Sequence, residues 1–222
     1  GLVVAPGFID LHQHAMDEAT FRLKIRDGVT SLLELEVGTD NIDKWYAERE
    51  GKLPLHYGVA IGHIKVRMRV MGDFPSFLPK SDSKAATQPA TAEQIAAMKA
   101  GIARGLDDGA PAVGFGIMYT PAASHWEILE MFRVAGQYGA SCHVHLRDRR
   151  EDAVGAIQEV IAASAVSGAP LQIVHLQSIS GPFTMQALQL VAEAQANGLD
   201  VTSEVYPYTA GMTDIKSAIF GG

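Results

Sequence analysis

The sequence has a single cysteine, Cys142, in 222 residues, which excludes an internal disulfide. A lone thiol fits a reducing compartment, so a cytoplasmic protein is the expectation. No apolar run approaches the ~18 residues that a membrane-spanning helix requires. No charged leader followed by an apolar stretch marks a signal peptide. There is no basic excess either. The formal net charge is −7, which provides no electrostatic footprint for nucleic acid or for an anionic membrane. The Gly-x-Gly-x-x-Gly phosphate loop of a dinucleotide-binding sheet is absent after the first strand-like segment.

What remains is rich in core material. Hydrophobic residues make up 47% of the chain and charged residues 19%, enough apolar content for a sizeable packed interior and too much for disorder. Strand-like and helix-like segments alternate throughout. Residues 7–14, 29–37, 56–63, 111–118, 140–146, 171–176 and 200–206 read as strands. Between them, Thr91 to Gln94 and Ser124 to Glu127 have the spacing of capping boxes that open helices. Further helices are expected over 153–167 and 184–197, each ending at a glycine. Shorter ones fit 17–26 and 42–50. Residues 73–90, with several Pro and Ser, read as a long loop. Seven βα units in a row predict an α/β fold with a parallel sheet, a (β/α)8 TIM-type barrel with seven strands present and the eighth missing. Residues 1–222 are read as one incomplete barrel domain. The start at Gly1 rather than Met also reads as a piece of a longer protein.

Chemistry-bearing residues gather at the C-terminal ends of the strands, where barrel active sites form. His12 and His14 stand two apart at the end of strand 1, so a strand would project both imidazoles to one face. His145 ends strand 5 and His175 ends strand 6. His143 lies a layer deeper and reads as a hydrogen-bonded core residue. Strand 2 brings Glu34 and Glu36 inward among leucines, where a carboxylate is costly unless it meets a cation. Glu36 is nearer the mouth and is the preferred ligand, able to bridge two ions. Imidazoles with a carboxylate suit Zn2+, one ion or two. Two basic clusters, Lys65/Arg67/Arg69 and Arg147/Arg149/Arg150, are either solvated charge or part of a pocket for a carboxylate.

These residues also carry a resemblance. The run from Pro6 to His14 (PGFIDLHQH) resembles the strand 1 signature of the amidohydrolase superfamily. Gly62-His63 with Arg67 and Val70-Met71-Gly72, the run Gly114 to Pro121, His145-Leu146-Arg147, Val174-His175-Leu176 and Tyr206 to Gly211 together resemble its D-aminoacylase (N-acyl-D-amino-acid deacylase) branch. The resemblance implies a hydrolase that uses metal-activated water to cleave the amide bond of N-acyl-D-amino acids, giving a carboxylate and a free D-amino acid. It implies that His145 and His175 hold the tighter metal, that His12 and His14 line the second position, and that Tyr208 contacts the substrate carboxylate or the oxyanion. Within that scheme His63 is a second candidate for stabilising the oxyanion, and Arg67 or Arg147 for gripping the substrate carboxylate.

The match has departures. Glu34-Leu35-Glu36 stands where the branch usually has a cysteine ligand, Gln177 where a lysine is usual, and Asp214 where a small hydroxyl residue is common. Strand 4 offers no lysine for a carbamate bridge. The resemblance places the catalytic aspartate on an eighth strand, so these 222 residues alone are expected to be inactive. Two other readings stay open: a different amidohydrolase reaction, such as cyclic amide opening or base deamination, and a non-catalytic barrel that serves as a binding module. The partner expected is a small N-acyl amino acid; the oligomeric state is not legible.

Overall fold

The computed structural model of the chain describes residues 2–220. Seven strands form one parallel sheet in the order β1 to β7, each hydrogen-bonded to its sequence neighbours. They are β1 (Phe8–Asp10), β2 (Val29–Thr39), β3 (His56–Gly62), β4 (Ala112–Gly116), β5 (Ser141–His145), β6 (Leu171–Ile173) and β7 (Val201–Ser203). The sheet curls into a partial barrel with helices outside, as the alternating pattern predicts. Among the described residues there is no eighth strand, and no helix is long and apolar enough to cross a membrane.

The helices are α1 (Glu18–Arg26), α2 (Ile42–Ala47), α3 (His63–Met71), α4 (Lys84–Thr87), α5 (Ala92–Asp107), α6 (His125–Tyr138), α7 (Ala153–Ser167), α8 (Leu176–Ser180) and α9 (Thr184–Ala196). Each long one turns an apolar stripe inward at helical spacing. In α7 the stripe is Ala153, Ala156, Ile157, Val160 and Ala163, and in α6 it includes Ile128, Met131, Phe132 and Ala135. α6 packs on β5 and α7 on β6, while β4 and β5 are almost wholly buried, as parallel strands covered on both faces must be.

Several elements differ from the sequence reading. β1, β6 and β7 are only three residues long, because the segments that follow them leave the ladder to build the mouth. His12 and His14 therefore lie beyond β1, with His12 in an isolated antiparallel bridge to Glu34. His63 opens α3 directly after β3 instead of ending a strand. The stretch 73–90 contains the short α4, and its Ser83 side chain accepts from the Ala86 amide. The Thr91–Gln94 capping box forms in full. At α6 only half of the expected box forms: Ser124 accepts from the Glu127 amide, but the Glu127 carboxylate goes elsewhere.

Glycine sets the distance between β2 and β4. A Cβ on Gly114 would lie 2.3 Å from the Glu36 carbonyl oxygen, so only glycine lets β4 approach β2 at the residue that proves central to the site.

Candidate metal centre

β2 is the spine of the site. Glu34 and Glu36 project from it into the barrel and are 5% and 3% exposed. β2 is thus an inner strand at this level, and its glutamates are not solvated. Glu36 is the hub. Its Oε2 lies 2.7 Å from His12 Nε2, 3.5 Å from His14 Nε2 and 3.7 Å from His175 Nε2. Its Oε1 is 2.9 Å from His145 Nδ1. Two potential ligand sets result, His12/His14/Glu36 and Glu36/His145/His175, with Glu36 common to both.

The arrangement fits a cation. His12 Nε2 and His14 Nε2 are 3.1 Å apart beside Glu36 Oε2. A tetrahedral site with bonds of ~2.0–2.1 Å has ligand–ligand edges of about 3.3 Å. Among the described residues, Glu36 Oε2 is buried without a hydrogen-bond partner, a costly arrangement for a carboxylate oxygen. Burial by itself would raise the Glu36 carboxyl pKa, but the imidazoles of His145, His12 and His14 outweigh it and hold the group well below the usual carboxylate range. Burial lowers His145, against the opposing pull of Glu36, toward the neutral form that binds metal.

The backbone at His175 is unusual. Its φ of 36° and ψ of 49° place a non-glycine residue in the left-handed region, just after β6 and just before α8. Such strain persists where the surroundings enforce it, and it clusters at functional sites. At this position it accompanies an imidazole whose ring centroid is 4.5 Å from that of His145 and 5.3 Å from that of His12.

The cluster opens onto a cleft of about 870 Å3. Tyr208 lines this cleft and is 77% exposed. The other residues expected near substrate lie elsewhere. His63 and Arg67 are fully buried and do not line the cleft. Four residues apart on α3, they meet one carboxylate, Glu127 of α6: His63 Nε2 is 2.8 Å from Glu127 Oε1, and Arg67 donates to both carboxylate oxygens. Arg67 also donates to the Ala85 and Gln88 carbonyls, at 2.9 and 2.5 Å. With its guanidinium occupied on all sides, Arg67 is a structural clamp and not a carboxylate grip. Arg147 is likewise engaged, bidentate to Glu159 at 2.8 and 2.7 Å, and lies off the cleft wall. His143 stays out of the cluster, as expected of a core residue, with Nε2 3.1 Å from Ser141 Oγ.

Two cleft residues, Glu204 and Tyr119, escaped the sequence reading, whereas Arg149 belongs to a basic cluster that it marks for a carboxylate pocket. Glu204, just past β7, bonds His12 Nδ1 and accepts from the His175 amide at 3.3 Å. The signal was present, since residue 204 shares strand parity with 202 and 206. Tyr119 packs 4.9 Å from the His145 ring, and its hydroxyl is 3.0 Å from Thr213 Oγ1. Burial, with a further push from Glu36, raises its pKa to about 12, so it is a phenol that can donate. Arg149, exposed, is the arginine that faces the cleft.

The chain is 28% identical to a D-aminoacylase of Alcaligenes xylosoxydans xylosoxydans, over 97% of its own length and 49% of that protein. A solved D-aminoacylase described as having a binuclear metal centre superposes with a TM-score of 0.75 at 27% identity, covering 93% of this chain and 48% of the other. By sequence and by fold, the likeness is to the D-aminoacylase branch of the amidohydrolases. An N-acyl-D-glutamate deacylase from Bordetella bronchiseptica, solved with zinc and a phosphonate mimic of the tetrahedral intermediate, shares the fold with a TM-score of 0.76 at 19% identity, over 91% of this chain and 48% of that one. No family model matches. The chain spans about half the length of the D-aminoacylases it resembles. Their TIM-type barrel accounts for the curl of its seven strands.

Proposed function

We propose that residues 1–222 form part of a barrel domain whose full-length protein hydrolyses the amide bond of N-acyl-D-amino acids with bound Zn2+. The observation that carries this reading is the sharing of one buried carboxylate, Glu36, by two imidazole pairs at the mouth of a cleft. His12, His14, Glu36, His145 and His175 would hold one ion or two. A divalent ion bound there supplies Lewis acidity and an acidified water at neutral pH.

The remaining work falls to the protein. Tyr119 keeps its proton and lies beside His145, placed to donate to an oxygen that gains charge. Tyr208, on the exposed loop after β7, can close over a bound acyl amino acid. Among the described residues, Arg149 is the arginine on the cleft wall, and it takes the role of carboxylate partner in place of Arg67 and Arg147. Lys24, also on the wall, is paired with Asp10. The resemblance places the proton-accepting aspartate on an eighth strand, beyond the seven of this chain.

The experiment is an assay of the full-length protein against N-acyl-D- and N-acyl-L-amino acids and a cyclic amide, before and after chelation. Release of free D-amino acid that stops on chelation and returns with zinc is expected. Turnover indifferent to metal removal, or confined to the cyclic amide, would refute the assignment.

A further inference from the structure

The two imidazole pairs around Glu36 are not equivalent. His12 Nδ1 is bonded to Glu204, and His14 Nδ1 lies 2.5 Å from Glu34 Oε2. Each ring thus has a carboxylate of its own behind it, and both Nε2 atoms lie on the side of Glu36, 2.7 and 3.5 Å from its Oε2. Glu34 is itself fixed, accepting from the Val37 amide at 3.0 Å and the Glu36 amide at 3.2 Å. The second pair has no such support. His145 bonds only the shared Glu36, leaving its Nε2 without a partner, and His175 Nδ1 is buried without one.

A carboxylate on the far nitrogen of a ligating histidine fixes the ring, selects the tautomer and strengthens the donor. We propose that Glu34 and Glu204 are positioning residues that make the His12/His14 position, once both rings have released their protons, the tighter of the two metal positions in this chain. This reverses the order implied by the resemblance, and it rests on the metal-hydrolase reading above. It links the most visible departure of the sequence, glutamates in place of a cysteine on strand 2, to a consequence for metal loading.

The test is a zinc titration of the metal-stripped full-length protein against a chromophoric chelator, which reads affinity without reference to activity. Glu204→Ala should weaken the first equivalent of zinc by about 10–100-fold, the range for loss of such a partner. Glu204→Gln, which keeps an acceptor but not the charge, should fall between. His175→Ala should leave the first equivalent in place and weaken a second. Because Glu34 also holds backbone amides, Glu34→Ala is read only alongside its circular dichroism, and the Glu204 pair carries the decision. The ring 15N shifts of His12 in the zinc-loaded protein should report a proton on Nδ1. A first equivalent unmoved by Glu204→Ala but lost in His175→Ala would overturn the proposal and leave the hydrolase reading standing. A parent protein that binds no zinc at all would end both.

Discussion

At the scale of the residue, the site is a set of histidines whose protonation depends on their carboxylate neighbours. Burial by itself would lower His12 and His14. The carboxylates of Glu204 and Glu36 instead raise His12 to about 10, and those of Glu34 and Glu36 raise His14 to about 9. Burial pushes His143 down to about 4. The signs follow by linkage. Histidines raised in the folded state contribute stability that is complete below about 6.5 and lost as pH climbs through 9–10. One lowered in the folded state costs stability as pH falls from about 6.5 through 4. The metal-stripped protein should therefore have its highest melting temperature near pH 6.5, with a fall on either side. Zinc must displace the protons on His12 and His14, so its apparent affinity should rise between pH 6.5 and 9, by up to about tenfold per unit for each proton released. Calorimetry and chelator competition across that range check both, and a zinc affinity flat with pH would contradict a protonated His12 and His14 in the metal-free site.

At the scale of the element, two contacts decide where side chains end up. The first is the join of β3 to α3. With no loop between them, His63 and Arg67 rise on one face of α3 onto Glu127, and Arg67 ties α6 to the 85–88 stretch. Arg67→Ala leaves a buried carboxylate half-paired and should cost about 3–5 kcal/mol in urea unfolding. Zinc stoichiometry and the KM of the folded enzyme should stay near the parent values. A raised KM at unchanged stability would return Arg67 to the substrate. The second contact is Gly114 against Glu36. Gly114→Ala drives a methyl into the Glu36 carbonyl, which should cost about 1–3 kcal/mol and lower zinc affinity in proportion to the displacement of Glu36. Stability loss with zinc binding intact would show that β2 gives way without moving its carboxylate.

At the scale of the whole molecule, the cleft is where stability and chemistry meet. The unpartnered Glu36 Oε2 belongs to a residue that lines this cleft, so ligation there relieves a cost at the centre of β2. A ligand present at about 100 times its Kd adds ~2.7 kcal/mol. For domains of about this size each kcal/mol moves Tm by ~2–4 °C. Chelation should therefore lower the Tm of the full-length protein by about 5–10 °C, read by differential scanning calorimetry and reversed by zinc. A Tm unmoved by chelation would mean that the cluster holds no ion.

The order of strands and helices and the parallel sheet were legible along the chain, and so were the imidazoles that the structure gathers around Glu36. Apolar periodicity is local, and the histidines after β1, at the end of β5 and after β6 carry their own chemistry. The sequence could also point to Glu36, because a carboxylate among leucines needs a partner wherever the strand lies. It could not say that Arg67 and Arg147 were already taken. Their partners Glu127 and Glu159 lie 60 and 12 residues away, and only the packing of α6 and α7 brings them close. Nor could it show that Glu204 backs His12 from 192 residues away. Which charges face the cleft and which neutralise one another is a matter of distance in space, and curling the sheet is what sets that distance.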